Sequence, residues 1–134
     1  PWSTTAFTFR LLSAGLVVPP FEELMMRGFV FRLALQWDQL RQQGVPLPLR
    51  TALDERSINE VPMGAWSWAA VIISTLAFTS GHGLHEWPAA VAYGLLMALI
   101  YILRKDLVVC ITAHAVTNIL LASYVYATGS WQYW

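Results

Sequence analysis

Three small groups of polar side chains are set in otherwise apolar sequence, and each has the composition of a reaction site. Glu22, Glu23 and Arg27 come directly after the apolar run 11–21, His82 ends a second apolar stretch that contains Phe78, and His114 with Asn118 lies inside a third. Glu23 and Arg27 are spaced i, i+4 with the acid first, the favourable order for a pair on one helical face. Glu22 projects about 100° away, so the arginine neutralises Glu23 and leaves Glu22 as a carboxylate suited to general acid or base work. The plainer alternative is two acids placed in a first helical turn by the helix dipole. His114 and Asn118, also i, i+4, share a face. An imidazole beside an amide offers two donors for an oxyanion, or simply a polar contact between membrane helices.

His82 is followed by Gly83, His85 and Glu86, which raises the question of a metal. The spacing matches neither HExxH nor its inverted form. No cofactor is therefore expected, with zinc on the three histidines and nearby carboxylates as the alternative. Cys110, the only cysteine, stands one turn before His114. With no third group to orient such a pair, it reads as a small buried residue rather than a nucleophile. A single cysteine also excludes an internal disulfide.

Helices must position these groups. Residues 4–18 read as a short apolar helix that Pro19 and Pro20 end or kink. A second helix is expected over 20–43, stopped by Gly44, Pro46 and Pro48. Residues 47–63 hold Arg50, Asp54, Glu55, Arg56 and Glu60 and read as an interfacial loop with one short helix. Further helices are expected over 66–80, 89–103 and 107–126, with a turn over 82–88. Only 16 of the 134 residues are charged, eight of each sign. The uncharged stretches 61–85, 87–103 and 107–134 run for 25, 17 and 28 residues, against the roughly 17–25 that a membrane span needs. None carries the polar face of a soluble amphipathic helix. The fold class is thus all-α, a polytopic transmembrane helical bundle of four to five membrane helices. Trp66, Trp68, Trp87, Trp131 and Trp134 fall near helix ends, as interfacial aromatics do. Arg41, Arg50, Arg56, Arg104 and Lys105 fall in connections on one side, which the positive-inside rule makes cytoplasmic. Disorder is excluded by a hydrophobic content of 57%, and a nucleic-acid partner by zero net charge without a basic run.

Ionisable residues inside membrane segments cost several kcal/mol and mark function by default. In order, these resemble the motifs of the CAAX-processing protease and bacteriocin-processing family, also called the abortive-infection family. Its EExxxR is matched by Glu22, Glu23 and Arg27 within PPFEELMMRGFVFR, its FxxxH by Phe78 and His82, and its HxxxN by His114 and Asn118. The resemblance covers residues 19–118 with no departure at a motif position. It implies a glutamate-dependent intramembrane endopeptidase acting on a membrane-associated protein or peptide. Glu22 would activate water with help from His82, His114 and Asn118 would hold the oxyanion, and Glu23 and Arg27 would fix the helix. Residues 1–134 are expected to be the protease core of a longer chain with further N-terminal helices. HAVTNILLASYVYATGSWQYW and VPMGAWSW are similar to the CAAX-protease-related proteins of bacterial exosortase systems. That likeness implies an inner-membrane location, exosortase-system partners and a substrate that need not be prenylated. Two other classes compete: a non-catalytic binding or immunity protein of the same family, and a proton or ion pathway, which gives Asn118 and Arg27 no particular task.

Overall fold

The computed structural model describes residues 3–133, which among themselves form helices and turns and no strand. One continuous helical run opens the chain: α1 (Thr4–Leu12), a π-helical segment (Ser13–Val17), α2 (Val18–Glu23), a second π-helical segment (Leu24–Val30) and α3 (Phe31–Gln42). It is followed by α4 (Pro48–Asp54), α5 (Trp68–Ser80), α6 (Trp87–Arg104) and α7 (Leu107–Thr128). Short 3₁₀ turns lie at Ile58–Glu60, Leu84–Glu86 and Trp131–Tyr133.

Of the two outcomes expected at Pro19 and Pro20, an end or a kink, the helix does not end: the run passes through them by way of the π-helical segment Ser13–Val17. The Val18 N–H bonds to the Ser13 carbonyl, five residues back rather than four. The next potential donor is Pro19, which has no N–H, so the Ala14 carbonyl is left without a partner in its own helix. Asn118 of α7 supplies one, its amide nitrogen donating to the Ala14 oxygen at 2.8 Å. An orphaned carbonyl in a membrane is costly, and a side chain 104 residues away satisfies it.

A second expectation needs correction. The uncharged stretch 61–85 does not yield a span-length helix: α5 has 13 residues, cut by the Ser67 N-cap, whose hydroxyl accepts from Ala70, and by the Gly81 C-cap. At 1.5 Å per residue that is about 20 Å, short of the ~30 Å hydrocarbon core. Among the described residues, two helical stretches are long and apolar enough to cross a bilayer, Leu84–Arg104 and Leu107–Thr128. Only 28% and 22% of their apolar windows are buried. Leu96, Leu99, Val108 and Leu120 face outward, while Glu23, Arg27, Ser74, Thr75, Thr79 and His114 are buried. Apolar side chains outside and charged ones inside are the arrangement of a helical membrane bundle. Trp66, Trp68 and Trp87 are exposed near helix ends; the interfacial position expected for Trp134 lies outside the described residues.

The core joins α3, α5, α6 and α7 through Phe31, Leu35, Ala70, Val71, Met97, Ala98, Tyr101 and Cys110. Phe31 and Tyr101 meet edge-on with centroids 5.2 Å apart. Arg32 holds the linker by donating from Nε and Nη2 to the Val61 carbonyl at 3.2 and 2.8 Å. At the same end the Tyr101 hydroxyl meets Met63 Sδ at 3.2 Å. Gly64 turns there with φ +74°, where a Cβ would lie 2.5 Å from Lys105 Cγ. The two basic connections therefore share one end of the bundle.

Gly94 lets α5 and α6 approach closely. A Cβ on it would sit 3.0 Å from Thr75 Cγ2 and 3.5 Å from Phe78 Cδ1. Small residues serve this purpose where membrane helices touch. Gly94→Val is expected to destabilise the bundle by about 1–3 kcal/mol through overpacking. Unfolding in mixed micelles measures this, and an unchanged midpoint would show that α5 and α6 separate without cost.

Candidate active site

The two glutamates sit in the last turn of α2, and the second π-helical segment begins at the next residue. Such π turns frequently occur at functional sites. Glu23 and Arg27 are completely buried. The expected i, i+4 pair forms, Arg27 Nη1 donating to Glu23 Oε1 at 3.2 Å. Arg27 Nη2 donates to the Gly94 carbonyl at 3.1 Å, and the guanidinium carbon lies 5.4 Å from the centroid of the Phe78 ring. One cation thus ties α2, α5 and α6 together.

His114 reaches the same carboxylate from α7. Its Nδ1 lies 2.8 Å from Glu23 Oε1, and a carboxylate at that distance places a proton on Nδ1. The other ring nitrogen, Nε2, faces Glu22 Oε2 at 3.7 Å. Glu22 is the more open acid, with 31% of its side chain exposed against none for Glu23. A buried acid gripping one nitrogen of an imidazole fixes the direction of the other.

Beside this cluster is a cavity of about 440 Å³, whose lining includes Phe78, His82, His85, Glu86, Tyr93, His114 and Asn118. Phe78 contributes its ring to three neighbours, with centroids 4.6 Å from His82, 6.0 Å from Tyr93 and 6.3 Å from His114. Glu22 is not on the wall of this cavity; its link to it is the His114 ring.

The structure brings Glu22, Glu23, Arg27, Phe78 and His114 into one connected cluster. His82 and Asn118 share the cavity, but among the described residues no hydrogen bond joins either to a glutamate. His82, just beyond the Gly81 C-cap of α5, has Nδ1 3.0 Å from the Phe78 carbonyl of that helix, and one hydrogen of the Asn118 amide is committed to Ala14. Glu86, whose Oε2 accepts from the Gly83 N–H at 2.8 Å, caps the turn. No group of three or more His, Cys, Asp or Glu side chains among the described residues is disposed to hold a metal ion.

Tyr93 was not singled out from the sequence. It lies on the row Tyr93, Met97, Tyr101 at i, i+4, i+8, and Met97 and Tyr101 are fully inward, a periodicity that marks the inner face of α6. Cys110 is completely buried in the core.

A family model described as Rce1-like, type II CAAX prenyl endopeptidase Rce1-like, matches residues 4–120. Comparison with curated proteins and with solved structures gives no match.

Proposed function

Because the chain belongs to the Rce1-like family of type II CAAX prenyl endopeptidases, we propose that it is a glutamate-dependent, metal-independent intramembrane protease in which Glu22 is the base. The substrate is a membrane-associated protein or peptide. One observation carries the reading: buried Glu23 holds His114 so that its second nitrogen faces Glu22, beside a cavity that also contains His82 and Asn118. A cavity of that size suits a short peptide segment.

Glu22 takes a proton from a water molecule whose oxygen attacks the scissile carbonyl carbon. The carbonyl pair moves onto its oxygen, giving a tetrahedral oxyanion. Collapse breaks the C–N bond as the proton held by Glu22 passes to the leaving nitrogen, so one acid and one amine form. His82, with Nδ1 occupied by Phe78, has Nε2 left to hold the water. His114 Nε2–H, present when the ring is an imidazolium, and the second amide hydrogen of Asn118 face the oxyanion. Glu23 and Arg27 position these groups. Preorganised donors in a site with little water account for much of such a catalyst's power. The likeness of residues 114–134 to exosortase-associated proteins supports a bacterial inner-membrane setting, with partners from that system.

The test is cleavage of a farnesylated CAAX peptide and its unlipidated counterpart by the protein in detergent. On this reading cleavage is expected to persist in excess chelator and in Cys110→Ser, whose thiol is sealed in the core. Loss on chelation would reassign the protein to the metalloproteases. The competing reading, binding without turnover, draws on the commitment of Asn118 to Ala14 and predicts peptide binding with no product.

A further inference from the structure

Resting on the protease reading, we propose that Tyr93 is a further catalytic residue, its phenolic O–H donating to the scissile carbonyl oxygen as that oxygen becomes negative. Three observations converge on it. First, Tyr93 lies on the cavity wall with His82, His114 and Asn118, its ring edge-on to His114 with centroids 5.4 Å apart. Second, its hydroxyl is buried and makes no hydrogen bond of ordinary length, with the Thr117 hydroxyl as a more distant neighbour. Buried hydroxyls are nearly always bonded, and an exception calls for a cause. A phenylalanine would fill the same space without the penalty of an unpaired polar atom. Third, the donors expected for an oxyanion are largely committed elsewhere. Asn118 gives one amide hydrogen to the Ala14 carbonyl. His114 Nδ1 is held by Glu23, and Nε2 faces Glu22 at 3.7 Å, so a carboxylate competes for any proton there.

The chemistry fits a phenol. Tyrosine is an established oxyanion donor in acyl transfer, it is neutral at the working pH, and so it enters an apolar cavity without a counter-ion. Thr117 on the same wall is the other hydroxyl to consider; its hydrogen goes to the Ala113 carbonyl at 2.9 Å.

The decisive experiment measures cleavage of the farnesylated CAAX peptide by wild type, Tyr93→Phe and Glu22→Gln, with thermal unfolding of each in the same detergent. It also measures inhibition by a peptide phosphonate, whose anionic oxygens mimic the tetrahedral oxyanion. Tyr93→Phe is expected to lower kcat about 10²- to 10³-fold, the effect of losing one oxyanion donor. KM should change little, phosphonate affinity should fall at least tenfold, and the melting temperature should not drop. If Tyr93→Phe retains wild-type kcat while Glu22→Gln is inactive, Tyr93 has no catalytic part and the protease reading stands. If Tyr93→Phe loses activity only in step with its melting temperature, the hydroxyl serves the wall rather than the reaction. A wild type that never cleaves removes the protease reading, and this one with it.

Discussion

Glu22→Gln is expected to slow peptide cleavage about 10²- to 10⁴-fold, the range that a positioned general base contributes. Glutamine keeps the length and shape of the side chain and can still donate to or accept from a neighbour, but it cannot take a proton from water. Because 31% of the Glu22 side chain is exposed, the substitution leaves no buried group unpaired, and the unfolding midpoint should stay within about 0.5 kcal/mol of wild type. The pairing of an unchanged midpoint with a collapsed rate separates lost chemistry from lost structure. Residual cleavage above one tenth of wild type would move the base elsewhere, with His82 the first alternative on the cavity wall.

Arg27→Met should have the largest effect on stability. Methionine matches the length of the arginine stem yet removes both hydrogen bonds of the guanidinium, to Glu23 and to the Gly94 carbonyl. It leaves a fully buried carboxylate with His114 as its one remaining partner. Breaking one side of a buried ion pair costs about 3–5 kcal/mol, because the surviving charge has neither water nor counter-ion. Adding Glu23→Gln removes that charge and keeps an acceptor for His114, so the double variant should be more stable than Arg27→Met alone. This non-additivity is what two residues in one network produce. Denaturant titration in mixed micelles reads both values. A single variant within 1 kcal/mol of wild type, or a double variant whose loss equals the sum of the two singles, would show that the pair is not a coupled unit.

Local spacing carried much of the fold and cluster into the sequence. The Glu23–Arg27 pair depends on four residues of one helix, and α6 and α7 lie in uncharged stretches, so both were legible; α7 was expected over 107–126 and ends at Thr128. What stayed hidden depends on contacts between distant segments. Two adjacent prolines predict a break because they remove donors, and nothing near them in sequence reveals that Asn118 fills the gap. The same bond explains why Asn118 looked free: its i, i+4 relation to His114 is visible, whereas its acceptor is not. The helix expected over 66–80 matches α5 to within two residues, but the uncharged stretch 61–85 promises a span that α5 does not reach, because absence of charge does not report caps and Ser67 and Gly81 hold the helix to 13 residues. Tyr93 escaped notice because an aromatic on an apolar helix ordinarily packs, and its place on the cavity wall beside His114 depends on how α6 and α7 dock.

The bond between Glu23 and His114 joins residues 91 positions apart, and that separation orders events during synthesis. A ribosome adding about 5–20 residues per second needs roughly 5–18 s to pass from one to the other. Throughout that interval the glutamates are already in the nascent chain without the imidazole that completes their cluster. The bond between Glu23 and His114 is consequently absent while the earlier helices are inserting, and it forms only once α7 has docked.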